Sequence, residues 1–318
     1  MVATPQGPEH SDASTVGTRR ATLVSLAFIV DAANISRAGG DLLEPLVFAA
    51  IVQANLAGLR HDPELQRLYG ASGEALPDAA RRPISVHAVA QSLRLPYETV
   101  RRRVRRLIDQ GRCVAAPAPP PAHAGVYVPR AAITSARHAA VQAARMERLM
   151  RLHDDLVRTG FLSPAEALPF PLPGALVRTV NTALSQYMLR TCDRMVELVG
   201  DVMDGFVLLG LVVANTERLI AAAGSLAPSG LAAEPRPCSG MALAGRLGMA
   251  GETVRRRLPA LGEAGYARRV TGGWIATAPA AERARIARLA ADNKADLQRL
   301  FARLRELAVA AGPRAPDP

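Results

Sequence analysis

Glu98-Thr99-Val100-Arg101-Arg102-Arg103 returns 154 positions later as Glu252-Thr253-Val254-Arg255-Arg256-Arg257. Extending the alignment outward at that offset, Pro83 to Cys113 against Pro237 to Ala267, gives thirteen identities in thirty-one positions. They include Ser85/Ser239, Ala90/Ala244, Leu93/Leu247, Leu107/Leu261 and Gly111/Gly265. Chance does not produce such a match. The chain carries an internal duplication, and whatever the six-residue stretch does is done twice.

Each copy reads as a helix, a tight turn and a second helix. Val86, Val89, Ala90 and Leu93 recur at helical spacing, Arg94-Leu95-Pro96 breaks the period, and Val100, Val104 and Leu107 resume it. At 3.6 residues per turn those last three side chains share one face, leaving Glu98, Arg102 and Arg105 on the opposite one. A helix that docks by an apolar stripe and projects guanidinium groups outward suits the major groove, where Arg pairs bidentately with guanine and holds phosphates. After it, Gly111-Arg112-Cys113-Val114 and Gly265-Tyr266-Ala267-Arg268-Arg269-Val270 open like β-strands. In the second copy Thr271-Gly272-Gly273-Trp274-Ile275 supplies a hairpin turn and a return strand.

The pattern Ala-x-x-Leu-x-hydrophobic-x-x-Glu-Thr-Val-Arg-Arg-Arg-hydrophobic-x-x-Leu-x-x-x-Gly spans Ala90 to Gly111 and Ala244 to Gly265. It resembles the winged helix-turn-helix transcription regulators of bacteria, the broad set with MarR-like, GntR-like and Crp-like DNA-binding domains, without selecting a subfamily. The resemblance implies base reading by the second helix and backbone contacts from the wing. One departure is that the Ser usual at the N-cap of the second helix is Pro96 in one copy and Ala250 in the other, a lost cap contribution of roughly 1 kcal/mol.

The duplication extends upstream. Gly40 to Leu59 aligns with Gly200 to Leu219 with seven identities in twenty, including Gly40/Gly200, Asp41/Asp201 and Asn55/Asn215, and Thr22 and Ser25 face Thr182 and Ser185. Two helices therefore precede each winged domain, joined at Gly-Asp, where Gly ends the first and Asp caps the second. The second of them, Leu42 to Leu59 and Val202 to Leu219, is apolar almost all round. Its longest uncharged part, Gly205 to Thr216, is shorter than the ~20 residues of a membrane span, so it is expected to be a buried core helix. Equivalent core helices can cover each other, which would bring Asn55 and Asn215 together at a pseudo-axis, with a satisfied core Asn as the plainer alternative.

The expected layout is a disordered tail over 1–18, helices over 19–82, the first winged helix-turn-helix over 83–130 and a long helix over 131–160. A Pro-rich linker over 161–175, helices over 176–236, the second winged domain over 237–277, and a C-terminal long helix and tail over 278–318 follow. The fold class is mainly α with small β wings: two tandem winged helix-turn-helix domains, each flanked by helices, forming an intrachain pseudo-dimer. Regulators of this kind ordinarily homodimerise through flanking helices on a palindrome; here the dimer is fused. The copies have diverged. Arg105-Arg106 is Pro259-Ala260 in the second, where Pro should kink or shorten the helix, and the first wing holds a Pro/Ala segment from Ala115 to His123. Half one thus leans on its recognition helix, half two on its wing, and the site is expected to be an imperfect palindrome.

Net charge is +11 and the isoelectric point about 10.7, which points to a polyanion. At 4% aromatics there are too few rings for the stacked-base platforms of single-strand binders, so duplex DNA fits better. Three scattered cysteines, Cys113, Cys192 and Cys238, form no metal-ligand spacing and suit a reducing cytoplasm. No phosphate-binding Gly loop, paired acid motif or His-Cys-Asp constellation is present, and no enzyme activity or cofactor is expected. The expected DNA-binding residues are Tyr97, Glu98, Thr99, Arg101, Arg102, Arg105 and Arg106 in one copy. In the other they are Glu252, Thr253, Arg255 and Arg256, with Arg268 and Arg269 on the wing. The expected partner is double-stranded DNA in the cytoplasm, at the nucleoid, with no membrane. A small-molecule effector between core helices and further dimerisation of the chain both stay open. The alternative is a scaffold, chromosome-segregation or nucleoid-associated protein, or a plasmid replication initiator, without operator-type regulation.

Overall fold

The computed structural model describes residues 9–37, 40–62, 74–116, 125–221 and 234–310. They are mainly helical, with two small antiparallel two-stranded sheets. In chain order the elements are α1 (Glu9–Arg37), α2 (Leu43–Asn55), α3 (Ala57–His61), α4 (Val86–Leu93), α5 (Tyr97–Asp109), β1 (Val114–Ala116), β2 (Gly125–Tyr127), α6 (Arg130–Ile133) and α7 (Ala136–Arg158). There follow α8 (Val177–Val199), α9 (Val202–Ala221), α10 (Gly240–Leu247), α11 (Gly251–Glu263), β3 (Ala267–Val270), β4 (Gly273–Ala276) and α12 (Arg283–Ala310). Two compact units result. One comprises Asp31–Arg148, Leu168–Gly205 and Arg299–Pro318; the other comprises Met1–Val30, Leu149–Ala167 and Phe206–Gln298.

In the unit that holds α5, the apolar α2 has no exposed residue because it is covered by α4, α5 and β2 and by α8 from far along the chain. Val47 and Ile51 of α2, Val89 of α4, Val100, Val104 and Leu107 of α5, and Val126 and Val128 beside the hairpin form one core. Burying each such side chain contributes about 1.5–3 kcal/mol. Ser85 starts α4 by accepting a hydrogen bond from the Ala88 amide at 3.1 Å, and Ser239 does the same for α10 through Ala242 at 3.1 Å. Neither Pro96 nor Ala250 caps its helix with a side chain. Asp41 accepts from the Leu43 amide, Asp201 accepts from Met203 and Asp204, and Gly200 ends α8 at φ 82°. Both Asp residues therefore cap as their type dictates and Gly200 ends α8, whereas α1 stops at Arg37, three residues short of Gly40.

Asn55 and Asn215 follow the plainer of the two readings, that of satisfied core amides. The Asn55 amide donates to the carbonyls of Arg82 (2.7 Å) and Val126 (3.4 Å) and accepts from the Val128 amide at 2.9 Å. Its own backbone carbonyl takes the Arg82 amide. Asn215 repeats the set: Arg236 (2.7 Å) and Trp274 (3.1 Å) carbonyls, the Ala276 amide at 2.7 Å, and the Arg236 amide on its carbonyl. Each Asn thus ties the core helix to the hairpin and to the chain entering the helix pair. The expected pairing of the two amides is corrected: all their bonding groups are engaged within their own units, and the plainer reading of a satisfied core Asn holds.

Other boundaries also change. Helix α1 begins at Glu9, inside the stretch expected to be a disordered tail. Its apolar stripe, buried from Ala21 onward, supports a helix that can propagate backward at one hydrogen bond per added residue. The long helix expected over 131–160 is two, α6 and α7, separated at Thr134 and Ser135, where Ser135 accepts from the His138 amide. The helix expected over Leu42 to Leu59 breaks at Leu56, while its counterpart α9 runs on unbroken to Ala221. The linker over 161–175 includes short turns at Pro164–Glu166 and Gly174–Leu176 and buries Leu162, Leu168 and Leu172. Helix α11 keeps the 13-residue length of α5 despite Pro259. The ring lies on the exposed side and Leu258 and Leu261 stay buried, so packing holds the last turn against one lost bond. Most of the Pro/Ala segment of the first hairpin lies outside the described residues, as do the first eight and last eight residues of the chain.

Two outcomes follow. Asn55→Ala should lower stability by about 2–4 kcal/mol, because it strands buried backbone groups, and should speed hydrogen exchange of the Val128 amide while leaving that of Ala276 unchanged; equal protection in the variant would contradict the pinning role. His138 packs its ring 5.8 Å from that of Phe48, and burial first, then the nearby Arg112, Arg145 and Arg178, pushes its pKa down to about 4. Its folded pKa is below the unfolded value of 6.5, so the neutral form is favoured by folding. The stability it confers is complete above pH 6.5 and drains away as pH falls toward 4, by up to ~2–3 kcal/mol. His138→Gln should flatten that slope in urea titrations.

Candidate nucleic-acid interface

Helices α5 and α11 have the same construction. Each starts one short turn after an eight-residue helix, and the turn residue is left-handed in both: Arg94 at φ 51° and Gly248 at φ 55°. Each buries one stripe, Val100, Val104 and Leu107 in α5 and Val254, Leu258 and Leu261 in α11. Each is followed by an antiparallel hairpin, with Ile84 and Cys238 adding a single bridge to the second strand, at Val126 and Trp274. The β3–β4 loop is Thr271-Gly272, and Gly273 at φ 146° is required because a side chain there would run into the Cys238 carbonyl. Surface Arg is thereby presented on one helix face per copy and, in the second copy alone, on the hairpin as well, at Arg268 and Arg269.

The arginine triplets divide into three roles. Arg101 is held by Glu98 at 2.9 Å and Arg255 by Glu252 at 2.7 Å. These are exposed pairs at i, i+3 that raise the pKa of both arginines through the hydrogen bond to the carboxylate. Arg102 and Arg256 are exposed, and among the described residues neither forms a hydrogen bond or an ion pair. Arg103 turns inward: it bonds Asp41 at 2.6 Å with only 17% of its side chain exposed and donates to the Thr99 carbonyl. The third arginine of the first copy is therefore a fastener between α5 and the start of α2.

The remaining expected residues fall as follows. Tyr97 is 45% exposed at the first turn of α5, its ring 6.3 Å from His87. Thr99 and Thr253 are half-buried, and Arg105 and Arg106 are exposed. Arg106 lies 3.7 Å from Glu44, whose carboxylate also takes Arg112 at 2.9 Å. Arg268 and Arg269 are exposed on β3, but successive strand residues point to opposite faces, and Arg269 lies over the Trp274 ring at 5.9 Å. They serve two faces of the hairpin instead of one. Each unit brings its own expected residues onto one helix–hairpin module.

Asp41, Glu44 and the turn residue Arg94 were missed by sequence reasoning. The retained Gly-Asp pair and the retained third arginine, present together in both copies, were the available signal for Asp41. Cys113 is buried and pushed up to about 12 by desolvation, which keeps it a thiol at neutral pH. Among the described residues no helix is long and apolar enough to cross a membrane, and no three metal-ligating side chains cluster. No family model, no curated protein and no solved structure matches the chain.

Replacing two neighbours separates the roles. Arg103→Ala should lower the unfolding midpoint, costing about 1–3 kcal/mol because Asp41 loses its partner, while Arg102→Ala should leave stability within ~0.5 kcal/mol. Chemical denaturation of the two variants compares them directly; equal losses would refute the division.

Proposed function

We propose that the chain is a sequence-specific double-stranded DNA-binding protein, a transcription regulator in which two winged helix-turn-helix domains act as a single-chain pseudo-dimer. One observation carries this reading: Arg102 and Arg256, at identical positions on α5 and α11, are outward-facing and without an ion-pair partner, while the opposite stripe of each helix is fully buried. Free guanidinium groups on an otherwise anchored helix are what bidentate pairing with guanine needs. The net charge of +11 favours the phosphate backbone and would make binding steeply salt-dependent. Thr99 and Thr253, and one of the hairpin arginines Arg268 and Arg269, which lie on opposite faces of β3, supply phosphate contacts that set register.

Arg101 and Arg255 enter the groove already oriented by Glu98 and Glu252, so they lose less side-chain freedom on binding. Arg105 and Arg106 have no counterpart in α11, and the first half is expected to make the denser helix contacts on an imperfect palindrome.

The test is fluorescence anisotropy on a duplex that the protein selects, at several salt concentrations. Arg102→Ala and Arg256→Ala should each weaken binding by about 1–3 kcal/mol on that duplex with little change on scrambled DNA, and the double variant should bind both alike. Retained selectivity in the double variant would overturn the reading.

A further inference from the structure

The two units differ at one place where the repeat makes them comparable. In the α5 unit, α2, α4 and α8 form a half-open cavity of about 280 Å³ whose lining includes Leu46, Ala50, Leu93, Leu189, Asp193 and Val196. The repeat sets Ala50 opposite Gly210 and Leu93 opposite Leu247. In the other unit the corresponding helices meet closely at this point: Leu247 is completely buried and lies so near α9 that a methyl on Gly210 would fall 2.5 Å from its Cδ2. The polar lining residues differ as well. Gln53 and Ser92 correspond to Val213 and Arg246. One copy has thus kept tight apolar packing while the other holds an opening with a carboxylate beside it.

We propose that this cavity is a binding site for one small amphipathic molecule per chain, with an apolar body of about one ring and a cationic or hydrogen-bond-donating head at Asp193. Five aliphatic side chains receive the body. The volume lies at the small end of ligand pockets, roughly 300 Å³ upward, which restricts the ligand to a single ring or short branched chain. The Asp193 carboxylate is already a cation acceptor: it takes Arg94 at 3.2 Å, and Glu197 takes the same guanidinium at 2.9 Å. Both carboxylates are about half exposed, so exchanging Arg94 for a ligand head is cheap.

The position gives such a ligand a consequence, which rests on the DNA-binding reading. Arg94 is the left-handed turn residue between α4 and α5, and it holds φ 51° without the freedom of a glycine. A head group that competes for Asp193 removes one of the two α8 contacts that steady this turn, leaving Arg94 to Glu197 alone, and so loosens the first turn of the helix carrying Arg101 and Arg102. The second half has Gly248 at that turn, which has no side chain to be held or released, so only one of the two DNA-reading modules would respond.

The experiment is saturation-transfer NMR on the full chain without DNA, using benzylamine and benzoate, which share a ring and differ in head charge. Transfer to benzylamine with one site per chain is expected, and little to benzoate, although the net charge of +11 would favour the anion non-specifically. Ala50→Leu, which fills the cavity, and Ser92→Leu, which blocks its rim from the exposed side of α4, should each weaken benzylamine binding at least about tenfold with circular dichroism unchanged. Asp193→Asn should erase the preference between the two probes. Should Ala50→Leu fail to fold, Ser92→Leu carries the test. No transfer to benzylamine, equal transfer to both probes, or binding that survives the blocking variants would overturn the proposal. None of these readings involves DNA, so failure here leaves the function of α5 and α11 untouched, and failure of DNA binding leaves the cavity result standing.

Discussion

A single buried amide per unit decides how a core helix, a helix pair and a hairpin become one body. Asn55 and Asn215 each satisfy backbone groups of the segment entering the helix pair and of the return strand, with four hydrogen bonds apiece. Those strands are only three or four residues long and could not persist as isolated hairpins. Anchored on the amide, the hairpin keeps a fixed position against α5 or α11. A buried polar group with every bond made is more directional than apolar packing, which explains why an Asn stands at the end of the largely apolar α2 and at the matching position of α9.

Around that anchor the charged residues sort by where their partners lie. Asp41 and Glu44, at the start of α2, draw in Arg103, Arg106 and Arg112, so part of the basic surface implied by composition is consumed in holding α5 down. Glu98 and Glu252 hold one arginine each at the surface. On α5 and α11 themselves, Arg102, Arg105 and Arg256 face outward with no ion-pair partner among the described residues. It is on this remainder, more than on the total charge, that the proposed function depends.

The repeat made much of this legible before any coordinates. Element types, the Asp41 and Asp201 caps, the uncapped starts at Pro96 and Ala250 and the hairpin at Gly272 all follow from local residue chemistry, which acts over a few positions. Errors arose where long-range partners decide. Equivalence in a repeat says that Asn55 and Asn215 do the same thing; it does not say with whom, and pairing them with each other was one of two consistent choices. Likewise, three arginines in a row are on three different sides of a helix, and only the location of Asp41 separates the fastener from the reader. The cavity could not be read at all, since its existence depends on how far α4 stands from α2, a distance no periodicity encodes.

Selection of bound duplexes from a random DNA library, sequenced and then footprinted with one protein chain per site, tests the central claim most directly. The account predicts a two-part site whose half-sites share a core, are separated by about one helical turn and are occupied by a single chain, with the flank of one half more tightly specified. A library that emerges with no enriched sequence, or a site that requires two chains for two half-sites, would contradict it.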